Sequence, residues 1–172
     1  MAKRQVRKVN KTTLLIMGEG EHDKAFLEHM KGIYYDRQSG SKIRLDFSGG
    51  GSPHDIIKDT IKKSRHVAYD RKIILMDDDI EIYQQDQNAA RNASILILQS
   101  TPICLEGMLL NVLGEKIPTS AQKCKGVLHP LLSGRPTLAK SYEPLFPKPV
   151  LDAAKNPTII SLRSLLTGKA QK

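Results

Sequence analysis

Lys72-Ile73-Ile74-Leu75-Met76-Asp77-Asp78-Asp79 is a short apolar run that stops abruptly at three carboxylates. Large apolar residues in succession, bounded by charge, predict a strand buried on both faces, the pattern of a parallel sheet covered by helices. The aspartates then stand at the strand's carboxyl end, the edge of an open α/β sheet at which ligands bind. Side chains two apart on a strand share a side. Extended backbone carried through Asp79 therefore brings Asp77 and Asp79 together and turns Asp78 away. Such a pair suits Mg²⁺, which takes oxygen ligands and keeps water and phosphate in its shell. The competing reading is a solvated acidic loop. A calcium loop is excluded by spacing: counted from Asp77, the sixth position is Ile82 instead of glycine and the twelfth is Asn88 instead of glutamate.

Working outward, Thr12 to Met17 is a second β-branched and apolar run, ending at Gly18-Glu19-Gly20. A helix is predicted from Glu21 or His22 to Lys31, with Phe26, Met30 and Ile33 on one face. Glu19 thus also sits at a strand's carboxyl end, and Asp23 falls in the first helical turn, where an acid equally serves the helix dipole. Lys42 to Phe47 alternates, which predicts a strand with one wet face near a sheet edge. Ser48-Gly49-Gly50-Gly51-Ser52-Pro53 leads into a helix, with Ser52 as cap, Pro53 first and Asp55 closing a capping box. That helix is predicted to run to about Tyr69, burying Ile56, Ile57 and Ile61 and showing Lys58, Lys62, Lys63 and Arg65. A glycine-rich turn before a helix can hold a phosphate. This one lacks the Lys-Ser/Thr ending of a Walker loop and reads as a plain connection.

Beyond the aspartates come a polar helix over 80–91, a buried strand over 94–98, and a helix over 103–113 after Gln99-Ser100-Thr101-Pro102. Glu106, beside Leu105, Leu109 and Leu110, reads alone as the wet edge of that helix. From Glu115 the signal weakens: a helix over 120–132, a loop over 133–149 with four prolines, and short helices over 149–155 and 157–166, the last capped by Asn156. Strands alternating with helices predict an α/β fold, a mostly parallel sheet of about four strands flanked by helices, with a helical C-terminal extension. The expected organisation is a basic flexible arm over 1–11, an α/β core over 12–114, and a loop-rich helical extension over 115–172. All strand carboxyl ends then open on one side, so Glu19, Asp77, Asp79 and the 100–106 segment converge on one rim.

The 172 residues suffice for one domain, 40% of them are hydrophobic, and no apolar run reaches membrane-span length. No apolar signal region follows the basic start. Cys104 and Cys124 are too few for a disulfide framework or a zinc cage, and are expected as reduced thiols in a cytoplasmic protein. The net charge is +9, and Lys3, Arg4, Arg7, Lys8 and Lys11 concentrate part of it in an arm without acids. Such an arm is expected to lie along a nucleic-acid backbone.

Glu19-Gly20 after one apolar strand, then Asp77-x-Asp79 after a later one, resembles the Toprim domain. Glu19-Gly20-x-x-Asp23 followed by Lys24-Ala25-Phe26-Leu27 resembles the opening motif of the RloB-like and OLD-like Toprim proteins. Ser100-Thr101-Pro102-x-Cys104-x-Glu106 with Met108-Leu109-Leu110 is similar to a Ser-x-Pro-Cys-Phe-Glu segment of the RloB-like group, and departs from it at Leu105, where an aromatic is usual. The resemblance covers most of residues 12–166. It implies a Mg²⁺- or Mn²⁺-dependent nuclease acting on DNA or RNA, in phage or plasmid defence, with any larger ATPase partner a separate protein. Asp77 and Asp79 would be the leading ligands, Glu19 a ligand or general acid/base, and Asp23 and Glu106 the completion of a second site, paired ions lying about 4 Å apart. Lys11, Lys24 or Arg71 would balance charge, and His22 is expected to face solvent. The alternative is a non-catalytic nucleic-acid-binding or regulatory module with the same fold.

Overall fold

A computed structural model of the protein describes residues 12–168, so the basic arm lies outside the described residues. Its strands and helices alternate: β1 (Thr12–Gly18), α1 (Glu21–Tyr34), β2 (Ser41–Phe47), α2 (Pro53–Lys63), β3 (Arg71–Asp77), α3 (Gln84–Asn92), β4 (Ile95–Ser100) and α4 (Leu105–Leu113). Then follow α5 (Ala121–Leu128), α6 (Lys148–Ala153) and α7 (Pro157–Leu166). The four strands form one all-parallel sheet in the order β2-β1-β3-β4.

Strand side chains alternate between faces, so β1 and β3 feed two cores. Leu14, Ile16, Ile73 and Leu75 pack with Phe26, Leu27 and Met30 of α1, Met108 to Leu110 of α4, and residues of α5 to α7. Leu15, Met17, Ile74 and Met76 pack with Ile56 and Ile57 of α2 and Ala90 of α3 on the other side. This double burial is why β3 reads as an unbroken apolar run.

The strand order positions the site. From β1 the chain moves outward to β2 by way of α1 on one face. It then crosses back through α2, on the other face, to β3. The carboxyl ends of β1 and β3 are therefore the point at which the winding reverses, where open α/β sheets keep a crevice.

Several expectations change in detail. β4 is the second edge strand, and Leu96 is 46% exposed: an apolar run predicts a strand but not its place in the sheet. β3 stops at Asp77, and α3 starts only at Gln84. α2 ends at Lys63 instead of continuing to Tyr69. The freed segment carries Asp70 back to the foot of the sheet, where it accepts from Thr13 N (2.7 Å) and Thr13 Oγ1 (2.9 Å). α4 starts at Leu105 because Ile103 takes φ 70°, a left-handed conformation costly for a β-branched residue. The Ile103 carbonyl accepts from Asp78 N at 2.9 Å, which pins this turn to the end of β3.

The loop over 133–149 adds to the first core: Tyr142 and Phe146 are buried, with ring centroids 5.6 and 6.0 Å from Phe26. Asn156 caps α7, accepting from Thr158 N and Ile159 N, and donates to the Thr101 carbonyl at 2.8 Å. Among the described residues no helix is long and apolar enough to cross a membrane.

Candidate metal centre

Glu19 is the first residue after β1. Its Oε2 accepts from the backbone N–H of Asp77 at 2.9 Å, bridging the crevice between β1 and β3. Asp77 ends β3, and its Oδ1 accepts from Leu105 N at 3.0 Å, at the positive amino end of α4. Asp23 sits in the first turn of α1 and its Oδ2 accepts from Gly20 N at 3.0 Å. A Cβ on Gly18 would stand 2.7 Å from Asp23 Cβ, so glycine there is what lets α1 press Asp23 against the strand end. Asp23 is only 6% exposed, and its Oδ1 has no hydrogen-bond partner among the described residues.

Glu106 is the second residue of α4 and is 2% exposed, not on the wet edge. Its Oε1 lies 2.8 Å from His129 Nε2 and 3.3 Å from His22 Nδ1. The two imidazoles meet edge to face at 5.0 Å. His22 thus turns into the site instead of facing solvent, because Cα–Cβ bonds in a helix tilt toward its amino end, here over the strand ends. His129 caps α5 with helical backbone, four residues after Lys125. That spacing puts both on one face, but the sequence reading singled out neither.

Glu19, Asp23, Asp77, Glu106, His22 and Lys125 line a cleft of about 390 Å³. The glycine-rich turn is one of its walls, more than the plain connection expected: Gly49 and Gly50 border the cleft at φ 91° and 89°, and Gly50 N donates to the Glu19 carbonyl at 2.8 Å. Asp79 is a correction. The strand ends at Asp77, so the extended geometry that would align the two carboxylates is absent, and Asp79 is exposed outside the cleft lining. Its charge still reaches Glu19 and Asp77. Lys24 lies over the Phe47 ring and near Glu28, and Arg71 opens β3 at the end opposite Asp77; neither lines the cleft. Lys3, Arg4, Arg7, Lys8 and Lys11 lie outside the described residues.

The carboxylates are uncomfortable as anions. Burial, then the charge of Glu19, pushes Asp77 up to about 7. Burial, then the charge of Asp77, holds Asp23 well above the usual carboxylate range. Glu19 is raised by burial, with the Asp77 N–H and the Lys125 charge opposing. Desolvated like charges sharing a cleft raise one another, and a bound cation would relieve them. No protein-family model, curated protein or solved structure matches this chain.

Proposed function

We propose that the chain is a Mg²⁺- or Mn²⁺-dependent nuclease that hydrolyses phosphodiester bonds of DNA or RNA at the cleft between β1 and β3. The observation that carries this reading is Asp23 Oδ1, a buried carboxylate oxygen without a partner among the described residues, on a residue that lines a cleft with Glu19 and Asp77. Buried charges are paired or coordinate metals, and three oxygen donors suit a hard divalent ion. Glu19, Asp23 and Asp77 line the cleft that would take it; they are not among the described residues whose ligand atoms all lie within 4.8 Å of one another, so water and phosphate oxygens would complete the shell, with Asp79 on the rim. When bound, such an ion polarises the phosphate, lowers the pKa of water and neutralises the leaving oxygen. Leu105 N fixes the Asp77 carboxylate, and Asp77 N fixes Glu19. A Glu19 carboxyl raised by burial is placed to accept a proton nearer neutrality. Lys125, also in the cleft lining, supplies a positive charge that acts on Glu19.

Nucleic acid as substrate is supported by a groove of about 740 Å³ between α1 and β2, lined by Lys24, Lys31, Arg37, Lys42 and Arg44 with Glu28. Lys24 joins it to the cleft, lying 5.6 Å over Phe47, which borders the cleft itself. The Toprim resemblance leads to the same chemistry, and it is the source of the further reading of a cytoplasmic defence protein working with a separate ATPase. The buried free thiols of Cys104 and Cys124 accord with a reducing compartment.

The hydrogen bonds of Glu19 and Asp77 favour a second reading, a nucleic-acid-binding module whose acids serve only the fold. It leaves Asp23 Oδ1 unexplained. Labelled single- and double-stranded DNA and RNA, incubated with Mg²⁺, Mn²⁺ or chelator, separate the two. The nuclease cuts only with metal, and Asp23→Asn and Asp77→Asn abolish cutting while the chain stays folded. Salt-sensitive binding without cleavage, unaltered by either substitution, establishes the binding module instead.

A further inference from the structure

We infer that His22, Glu106 and His129 form a second, chemically distinct metal site, which takes a transition-metal ion of the zinc class through two imidazoles and one carboxylate. The inference goes beyond the nuclease reading, since ion binding is observed directly and does not depend on cleavage.

Geometry is the first support. In a tetrahedral zinc site with bonds of about 2.0–2.1 Å, neighbouring ligand atoms stand roughly 3.3 Å apart. His22 Nδ1 lies 3.3 Å from Glu106 Oε1, His129 Nε2 lies 2.8 Å from the same oxygen, and all three ligand atoms fall within 4.8 Å of one another. Both imidazoles aim a ring nitrogen at that one oxygen and meet edge to face at 5.0 Å, an arrangement a shared ion can use.

Burial and topology are the second support. Glu106 is 2% exposed and is reached by residues 84 and 23 positions away, from the start of α1 and the end of α5. Gly107 makes this approach possible: a Cβ there would stand 2.3 Å from the Pro102 carbonyl oxygen and 3.5 Å from Cys124 Sγ of α5. Ligand chemistry then separates the two sites. Imidazole selects zinc-like ions, whereas the oxygen-only set of Glu19, Asp23 and Asp77 suits Mg²⁺ or Mn²⁺. Three protein ligands leave a fourth position open to water or a phosphate oxygen, and it faces the cleft that His22 and Glu106 line. An ion here also cancels the Glu106 charge that bears on Glu19, Asp23 and Asp77.

The test uses the tag-free 172-residue chain, stripped of metal and titrated with Zn²⁺ by calorimetry and with Co²⁺ by visible absorption. One equivalent should bind, with the intense Co²⁺ bands of a four- or five-coordinate site, and millimolar Mg²⁺ should not displace it. His22 and His129 are both part-exposed, so His22→Ala and His129→Ala should fold, as circular dichroism checks. Each should weaken binding by more than the roughly 10- to 100-fold that losing an outer-shell partner costs. Glu19→Gln should keep the tight Zn²⁺ site even where it abolishes cleavage, which separates failure of this inference from failure of the nuclease reading. The inference is overturned by a wild type that binds no Co²⁺, by wild-type affinity in folded His129→Ala, or by loss of Zn²⁺ binding in Glu19→Gln.

Discussion

Asp23, which lines the cleft, divides its carboxylate: Oδ2 closes the first turn of α1 through Gly20 N, while Oδ1 is buried without a hydrogen-bond partner among the described residues. Asp23, Glu19 and Asp77 are all raised in the folded protein, Asp77 from 3.8 to about 7. Each therefore binds its proton more tightly folded than unfolded. The stability this contributes is complete below the unfolded value and is lost as pH rises through the folded one. Asp55, Asp70 and Asp152, which are lowered, act in the opposite sense, losing their contribution only as pH falls below the ordinary carboxylate range. Between pH 5 and 8 the metal-free protein should consequently melt at falling temperature. The drop should be several degrees, since each kcal/mol moves the Tm of a domain this size by roughly 2–4 °C. Saturating Mg²⁺ or Mn²⁺ should remove it by taking the protons' place, and Asp77→Asn should remove much of it without metal. A Tm in chelator that stays level over this range would contradict the charge balance assigned to the cleft.

At the scale of elements, two glycines set how closely helices meet the turns that carry the site. Gly107 is the sharper case, because the atom a Cβ would strike is backbone, the Pro102 carbonyl oxygen at 2.3 Å. A side chain there must lift α4, and with it Leu105 N and Glu106, off the turn. Gly107→Ala should cost about 1–3 kcal/mol, as overpacking does, and should weaken Zn²⁺ binding through displaced Glu106. Gly126, exposed within α5 and with nothing within 4 Å of its would-be Cβ, is the control. Gly126→Ala should stabilise by about 0.4–1 kcal/mol. Urea unfolding measures both, and equal midpoints for the two variants would refute the assignment. The same scale shows where local reading ends. Ser52 and Asp55 announced the start of α2, because a capping box is chemistry between neighbours. The start of α4 at Leu105 depends on a left-handed Ile103 held by Asp78, a contact that no local propensity encodes.

Across the whole molecule, the parallel sheet was legible because β1 and β3 are buried on both faces, so their burial is written as unbroken apolar runs. Glu19, Asp23 and Asp77 were legible for a related reason: each lies within five residues of a strand's carboxyl end, and every such end opens on one side. His129 was not, since its approach to Glu106 depends on how α5 packs on α4, and nothing near position 129 carries that information. The basic groove belongs to the same class. Lys24 and Lys31 come from α1, Lys42 and Arg44 from the outer strand β2, and only the sheet order makes them neighbours. If this groove carries the nucleic-acid backbone toward the cleft, its cations act on phosphates and without regard to base sequence. Lys42 and Arg44 are exposed, and the ion pair of Arg44 with Asp46, at 3.9 Å, is weak, so both can be truncated without harm to the fold. Each phosphate contact removed lowers the slope of log K against log salt by about 0.7 for single strands and about 0.9 for duplex DNA. The pair Lys42→Ala and Arg44→Ala should therefore flatten that slope by roughly 1.4–1.8, and equally for unrelated sequences. A chain lacking residues 1–11 reports the share of the arm separately. An unaltered slope in the double variant, beside a reduced one in the truncated chain, would move the binding surface from the groove to the arm.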